Sequence, residues 1–188
     1  MIKVLCLVGA SACGKDTLLK QVLKKSSHVV PIVRYTTRPM RENEVNGIDY
    51  YFVDNKKFTE KVLNLEMAEA AIFNDWFYGT DKTTLSKELV NILICDLNAA
   101  EQLVQDSELD VAIAYIKAEP KERLLRALKR EKNPNVNEIV RRFIDDEKKY
   151  CSENMFDISY FTIENNSKTQ MKAAIGKICD IIESLFNN

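Results

Sequence analysis

Gly9, Gly14 and Lys15 stand in the pattern G-x-x-x-x-G-K. A loop of that length lets consecutive backbone N–H groups, here those across Ala10, Ser11, Ala12 and Cys13, point inward around a phosphate. The glycines permit close approach of the backbone. Lys15 adds a full positive charge, and a helix starting there adds the partial charge of its N-terminus. The residue after the lysine in such loops is usually Ser or Thr, whose hydroxyl meets Mg²⁺; here it is Asp16, with Thr17 next. A carboxylate binds Mg²⁺ well but also brings negative charge to the phosphates. Exchange of Asp16 for Ser is therefore expected to change the Mg²⁺ dependence of activity.

A second group lies further on. Arg38 and Arg41 flank Pro39, and Tyr50 and Phe52 alternate after a turn at Asn46–Gly47. Two guanidinium forks and a phenol in one place suit a phosphate monoester; the same residues also suit a charged surface hairpin, and local chemistry leaves the two open. Asp96 ends the apolar run 91–97, as a carboxylate does when it holds Mg²⁺ through water. It can instead cap a helix beginning near Asn98; the magnesium role is the preferred expectation. Arg126 and Arg130 are four apart on one face of a helix expected over 120–132, and Arg141 and Arg142 lie in a second, over 136–154. The polar segment 132–135, KNPN, reads as a hinge between them.

The elements that must position these groups alternate. Residues 4–8 form a short apolar run, as in a parallel strand covered on both faces. The loop follows, then a helix over 15–25. Further strands are expected over 29–33, 91–97, 111–117 and 158–163. A helix over 54–65 should pack Phe58, Val62 and Leu65 on one face. Residues 72–78 bring the chain back, with Phe73, Trp76 and Phe77 packing rather than stacking on a ligand. The last helix, 167–186, carries Met171, Ile175, Ile178, Ile182 and Phe186 at helical spacing, a core stripe. Strands alternating with helices imply a parallel sheet between helical layers.

The chain has 188 residues, 46% of them hydrophobic, enough for one sizeable core, and its net charge of −1 gives no basic surface for nucleic acid or anionic membrane. Five scattered cysteines (6, 13, 95, 151 and 179), with no C-x-x-C spacing, read as reduced thiols of a cytoplasmic protein. The single histidine, His28, excludes multi-histidine metal sites, makes a Ser–His triad a poor reading, and is expected at the surface. No signal peptide or membrane-spanning run is expected.

The segment T-T-R-x-x-R-x-x-E-x-x-G-x-x-Y-x-F-V, residues 36–53, is similar to the substrate-binding signature of guanylate kinases. Glu69, Phe73 and Tyr78-Gly79-Thr80 continue the resemblance, which covers essentially the whole chain. It implies an α/β P-loop kinase: a three-layer parallel-sheet core (1–33, 83–117 and 155–188), a small mixed-sheet insertion at 34–82 that binds the nucleoside monophosphate, and a helical lid at 118–154. It implies ATP as donor, with Mg²⁺, and GMP or dGMP as acceptor. Arg38, Arg41, Tyr50 and Tyr78 would hold the acceptor phosphate, while Glu69, Gly79 and Thr80 would lie at its base. A carboxylate at Glu69 accepts from guanine N1–H and the 2-amino group together, whereas adenine presents an unprotonated nitrogen there. Lys15, Arg38, Arg130 and Arg142 would be the catalytic cations, with Arg126 beside them at the donor. Asn165 would approach the donor adenine.

Three departures bear on selectivity and closure. Arg34 stands where the family commonly has a serine at the guanine O6 edge. Asn98 stands where a second acidic residue is usual. Residues 130–133 replace the usual Arg-Gly-Thr-Glu turn. The combination of RYTTR and GKD also resembles, locally, ribose 1,5-bisphosphate kinases, the alternative within enzymes. A non-catalytic interaction module is the alternative outside them. Expected partners are small-molecule nucleotides, with the chain a monomer or homodimer.

Overall fold

The continuous apolar run at the N-terminus is explained by what covers it. β1 (Ile2–Val8) is the central strand of a parallel sheet with β2 (Val29–Pro31), β7 (Val90–Ile94), β8 (Leu109–Lys117) and β9 (Phe161–Glu164), in the order β2-β7-β1-β8-β9. Leu5 and Leu7 face a layer made by α1 (Lys15–Lys25) and α6 (Lys168–Asn187), with Leu18, Val22, Ile178 and Ile182 buried there. Val4, Cys6 and Val8 face the other way, onto Leu97, Ala100 and Leu103 of α3 (Leu97–Gln105). Alternate side chains of one strand thus feed two separate cores, which is why no polar residue interrupts residues 4–8. The computed structural model describes residues 1–42, 44–73, 75–130, 132–150 and 160–188, and only the backbone of Phe73.

A second sheet of four strands, in the order β4-β3-β6-β5, is built from β3 (Tyr35–Thr36), β4 (Tyr51–Phe52), β5 (Met67–Phe73) and β6 (Trp76–Asp81). It is mixed: β3 runs parallel to β4 and antiparallel to β6. Thr36 and Thr37 lock it, since Thr36 Oγ1 donates to the Phe77 carbonyl and Thr37 Oγ1 accepts from the Phe77 N–H. α2 (Asn55–Leu63), capped by the Asp54 carboxylate on the Lys57 N–H, closes one face of this sheet through Phe58, which stacks on Phe77. Two further helices, α4 (Pro120–Lys129) and α5 (Val136–Lys149), follow β8 and are joined across the expected hinge.

Some expectations need correction. The last turn of α2 stops at Leu63, so Leu65 leaves the helical face and is 79% exposed, and Val62 is also largely open. Trp76 begins a strand at a hairpin and is exposed rather than packed. β2 is three residues long, ending at Pro31, with one further bond to β7 from the Ile32 N–H to the Ile92 carbonyl. His28 is no bare surface residue: its ring stacks on Phe186 and its Nδ1 meets the Glu183 carboxylate at 2.9 Å. α5 ends at Lys149; the rest of the helix expected to 154, the start of the strand expected at 158, and Cys151 lie outside the described residues. Cys6, Cys13, Cys95 and Cys179 are free thiols. A hydrogen bond with Cys95 and burial push the Cys6 thiol well up, so it is an inert packing group. Among the described residues no helix is long and apolar enough to cross a membrane.

Candidate active site

The phosphate loop leaves the carboxyl end of β1, the edge at which open α/β sheets bind ligands. Its shape depends on Gly9 and Gly14. Gly14 has φ of +102°, and a Cβ there would lie 2.4 Å from Asn165 Nδ2; at Gly9, φ +151°, a Cβ would lie 2.4 Å from the Ile116 carbonyl. Cys13 is buried beneath the loop. Lys15 Nζ donates to the Gly9 and Ala10 carbonyls at 2.6 and 3.0 Å, which holds its ammonium at the mouth of the loop. Asp16 and Thr17 are exposed in the first turn of α1.

The loop is gripped from outside. Asn165, just beyond β9, is 3% exposed, and its Nδ2 donates to the Cys13 carbonyl at 2.8 Å. Arg126 donates to the Cys13 and Asn165 carbonyls. Both residues, expected around the nucleotide, therefore carry the loop itself. Arg130 and Arg142 line a cleft of about 150 Å³ with Ser11 and Ala12 of the loop. Arg142 is 58% exposed and its Nε donates to Glu138 at 2.6 Å. Arg141 is paired with Glu138 and Asp145. Hydrogen bonds from Arg141 and then Arg142 push the Glu138 carboxyl down to about 2. Two residues outside the site expected from sequence also touch the loop: the Ser11 N–H donates to Asp146 Oδ2 at 2.7 Å, and buried Arg123 donates to the Ser11 carbonyl and to Glu147.

The second cradle lies on the mixed sheet. An open cleft of about 310 Å³ is lined by Arg34, Tyr50 and Tyr78 on one side and by Asp96 and Ala99, at the start of α3, on the other. The Tyr50 and Tyr78 rings meet edge to face at 5.9 Å, and burial pushes the Tyr50 phenol up, keeping it a protonated donor. The Arg38 guanidinium lies 5.6 Å from the Tyr50 ring centre and pairs with Glu44 at 2.7 Å. Glu44 also accepts from the Arg41 N–H; these bonds, Arg38's first, hold its carboxyl below the usual range. The Arg41 side chain is exposed. Thr80 and Gly79 are buried and do not line the cleft.

Compared with known proteins, residues 1–185 match the family model for guanylate kinase. The chain belongs to the guanylate kinase family. It is 29% identical over 184 residues to the guanylate kinase of Thermobifida fusca, covering 96% of this chain and 88% of that one. It is 28% identical over 181 residues to that of Wolbachia sp. subsp. Brugia malayi, covering 94% and 91%. A crystal structure of guanylate kinase from Anaplasma phagocytophilum has the same fold, with a TM-score of 0.65 at 22% identity over 97% of this chain and 86% of that one.

For a guanylate kinase fold, the acidic positions are instructive. Asp96 caps α3, Oδ1 accepting from the Ala99 N–H at 3.1 Å, and Oδ2 pairs with Lys149 at 3.2 Å. The capping alternative is thus realised, and a metal at Asp96 would have to displace Lys149. Asp16 is solvent-facing beside the loop. Mg²⁺ keeps several waters and takes one or two carboxylates together with substrate phosphates, so this sparse donor set fits an ion that arrives on a nucleotide. Among the described residues no group of three or more His, Cys, Asp or Glu side chains could hold one alone. Asn98 is exposed on α3 and does not line the cleft.

Proposed function

We propose that this chain is an ATP:GMP phosphotransferase, moving the γ-phosphoryl of ATP to GMP, with dGMP a second acceptor. The observation that carries the reading is the family match over residues 1–185 in a chain whose phosphate loop keeps Lys15 at its mouth. The amides from Gly9 to Gly14 cradle the donor phosphates, and Lys15 turns from the loop carbonyls to the phosphate oxygens. Arg38, Arg41, Tyr50 and Tyr78 hold the acceptor phosphate, with Arg38 exchanging Glu44 for it. Arg130 and Arg142 close from the lid and neutralise charge as it moves between the two anions. Asp16 is the side chain that would help hold Mg²⁺ arriving on the nucleotide, and the ion would supply further charge neutralisation. No general base is needed, because the acceptor is already an anionic nucleophile. Closure excludes water that would otherwise take the phosphoryl group.

The test is ADP release by the purified chain with ATP, Mg²⁺ and GMP. Turnover well above the rate without acceptor is expected; ADP release only with ribose 1,5-bisphosphate, or with no acceptor at all, overturns the reading.

A further inference from the structure

Glu69, the residue that the family resemblance assigns to the guanine edge, has a side-chain exposure of 0% and does not line the acceptor cleft. Arg34 lies over it. Arg34 Nε donates to Glu69 Oε1 at 2.9 Å and Nη2 to Oε2 at 2.8 Å, while Thr80 Oγ1 donates to Oε1 at 2.8 Å. A carboxylate has about four acceptor positions, and three donors already fill most of them. Guanine needs two adjacent positions for N1–H and the 2-amino group, so the carboxylate as held cannot take that edge. Lifting Arg34 away would leave a buried carboxylate without its counter-charge, which is strongly unfavourable. Arg34 itself is 16% exposed and lines the cleft beside Tyr50 and Tyr78, and its Nη1 makes no hydrogen bond to any described residue.

We propose that Arg34 is the base-reading residue, and that it selects purine monophosphates by their 6-oxo group and N7 without regard to the 2-amino group. Guanidinium donors match these two acceptors, as they do on guanine in nucleic acids. Adenine presents an amino donor at the same place and leaves donor facing donor. Glu69 and Thr80 are positioning residues that fix the fork. Asn98, exposed and outside the cleft lining, leaves the 2-amino group unread. The inference rests on the GMP kinase reading and adds that IMP is a comparable acceptor.

The experiment compares kcat/KM for GMP, IMP and AMP with ATP and Mg²⁺. GMP and IMP are expected within about tenfold of each other, and AMP at least about a hundredfold below both. A preference for GMP over IMP above about tenfold overturns the inference while leaving the kinase reading intact; turnover of neither removes the kinase reading itself. Arg34→Ser, which uncovers Glu69, is expected to raise the GMP to IMP ratio by about tenfold, and an unchanged ratio counts against Arg34 as reader. Glu69→Gln is expected to raise KM for GMP and IMP by the same factor, because it acts through Arg34. A selective loss of GMP would place the carboxylate on the base. Should either variant fail to fold, the wild-type ratio alone decides.

Discussion

The donor and acceptor sides of this molecule both meet anions, but they prepare for them differently. On the donor side the binding groups are mostly backbone amides, and their geometry is fixed by two glycines and by Asn165 and Arg126 pulling on the Cys13 carbonyl. On the acceptor side they are side chains, and two of the arginines are already paired within the chain: Arg38 with Glu44 and Arg34 with Glu69. The pairs themselves divide by depth. Glu138 is 35% exposed, so Arg142 can exchange it for phosphate at little cost, since exposed pairs contribute about 0–1 kcal/mol; Glu44 and Asp146 keep a narrower opening to water. Glu69 is sealed, and its pair with Arg34 behaves as one fixed unit. On the proposed reading, displaceable carboxylates stand where phosphates bind, and the fixed one stands where selectivity is set.

The sharpest way to break this contrast is to remove the one side-chain charge of the donor loop. Lys15→Met is expected to lower kcat by about a thousandfold, measured by ADP release, with melting temperature nearly unchanged because the loop shape resides in the glycines and their anchors. On the acceptor side, Arg38→Ala deletes a fork meant for a phosphate. Loss of hydrogen bonds to a charged group costs about 1.5–3 kcal/mol, so KM for GMP should rise by about 10- to 100-fold while KM for ATP stays put; an equal rise in both would erase the division into two cradles. A smaller effect tests displaceability. Asp146 holds the Ser11 N–H at 2.7 Å, as a phosphate oxygen would, so Asp146→Ala should tighten ATP binding by about 2- to 10-fold in calorimetry; weaker binding would mean that Asp146 shapes the loop rather than competing for it.

The smallest effect concerns a buried pair away from both cradles. Lys61 Nζ meets Asp81 Oδ2 at 2.5 Å, and Asp81 is 1% exposed. Burial alone would raise the Asp81 carboxyl, but Lys61 and the Thr83 hydroxyl and N–H outweigh it and hold it below the usual range. A depressed carboxylate contributes stability that is present above its unfolded value of about 4 and is lost as pH falls through its folded value. Urea midpoints should therefore drop between pH 5 and pH 3, and Asp81→Asn should lessen that drop. An unchanged slope in the variant would show that other carboxylates carry the acid sensitivity.

What the sequence alone determined is what short stretches of chain encode. G-x-x-x-x-G-K fixes a loop because only its own backbone and two glycines are needed. The run of residues 4–8 announces a strand covered on both faces, and the stripe from Met171 to Phe186 announces a core helix, because periodicity is a local property. The guanylate kinase signature over residues 36–53 likewise stands in order along the chain. Tertiary structure decided who faces whom. Arg34 and Glu69 are 35 residues apart, and Ser11 and Asp146 are 135 apart. No spacing rule links them, and a charge in a sequence has no preferred partner until folding sets distances and removes water. The same reason explains Asn165, which became an anchor of the loop, and Leu65, which a helix ending two residues early left in solvent. Pattern specifies which surface an element buries; the energy of a charge depends on its surroundings, and those exist only once the sheets have met.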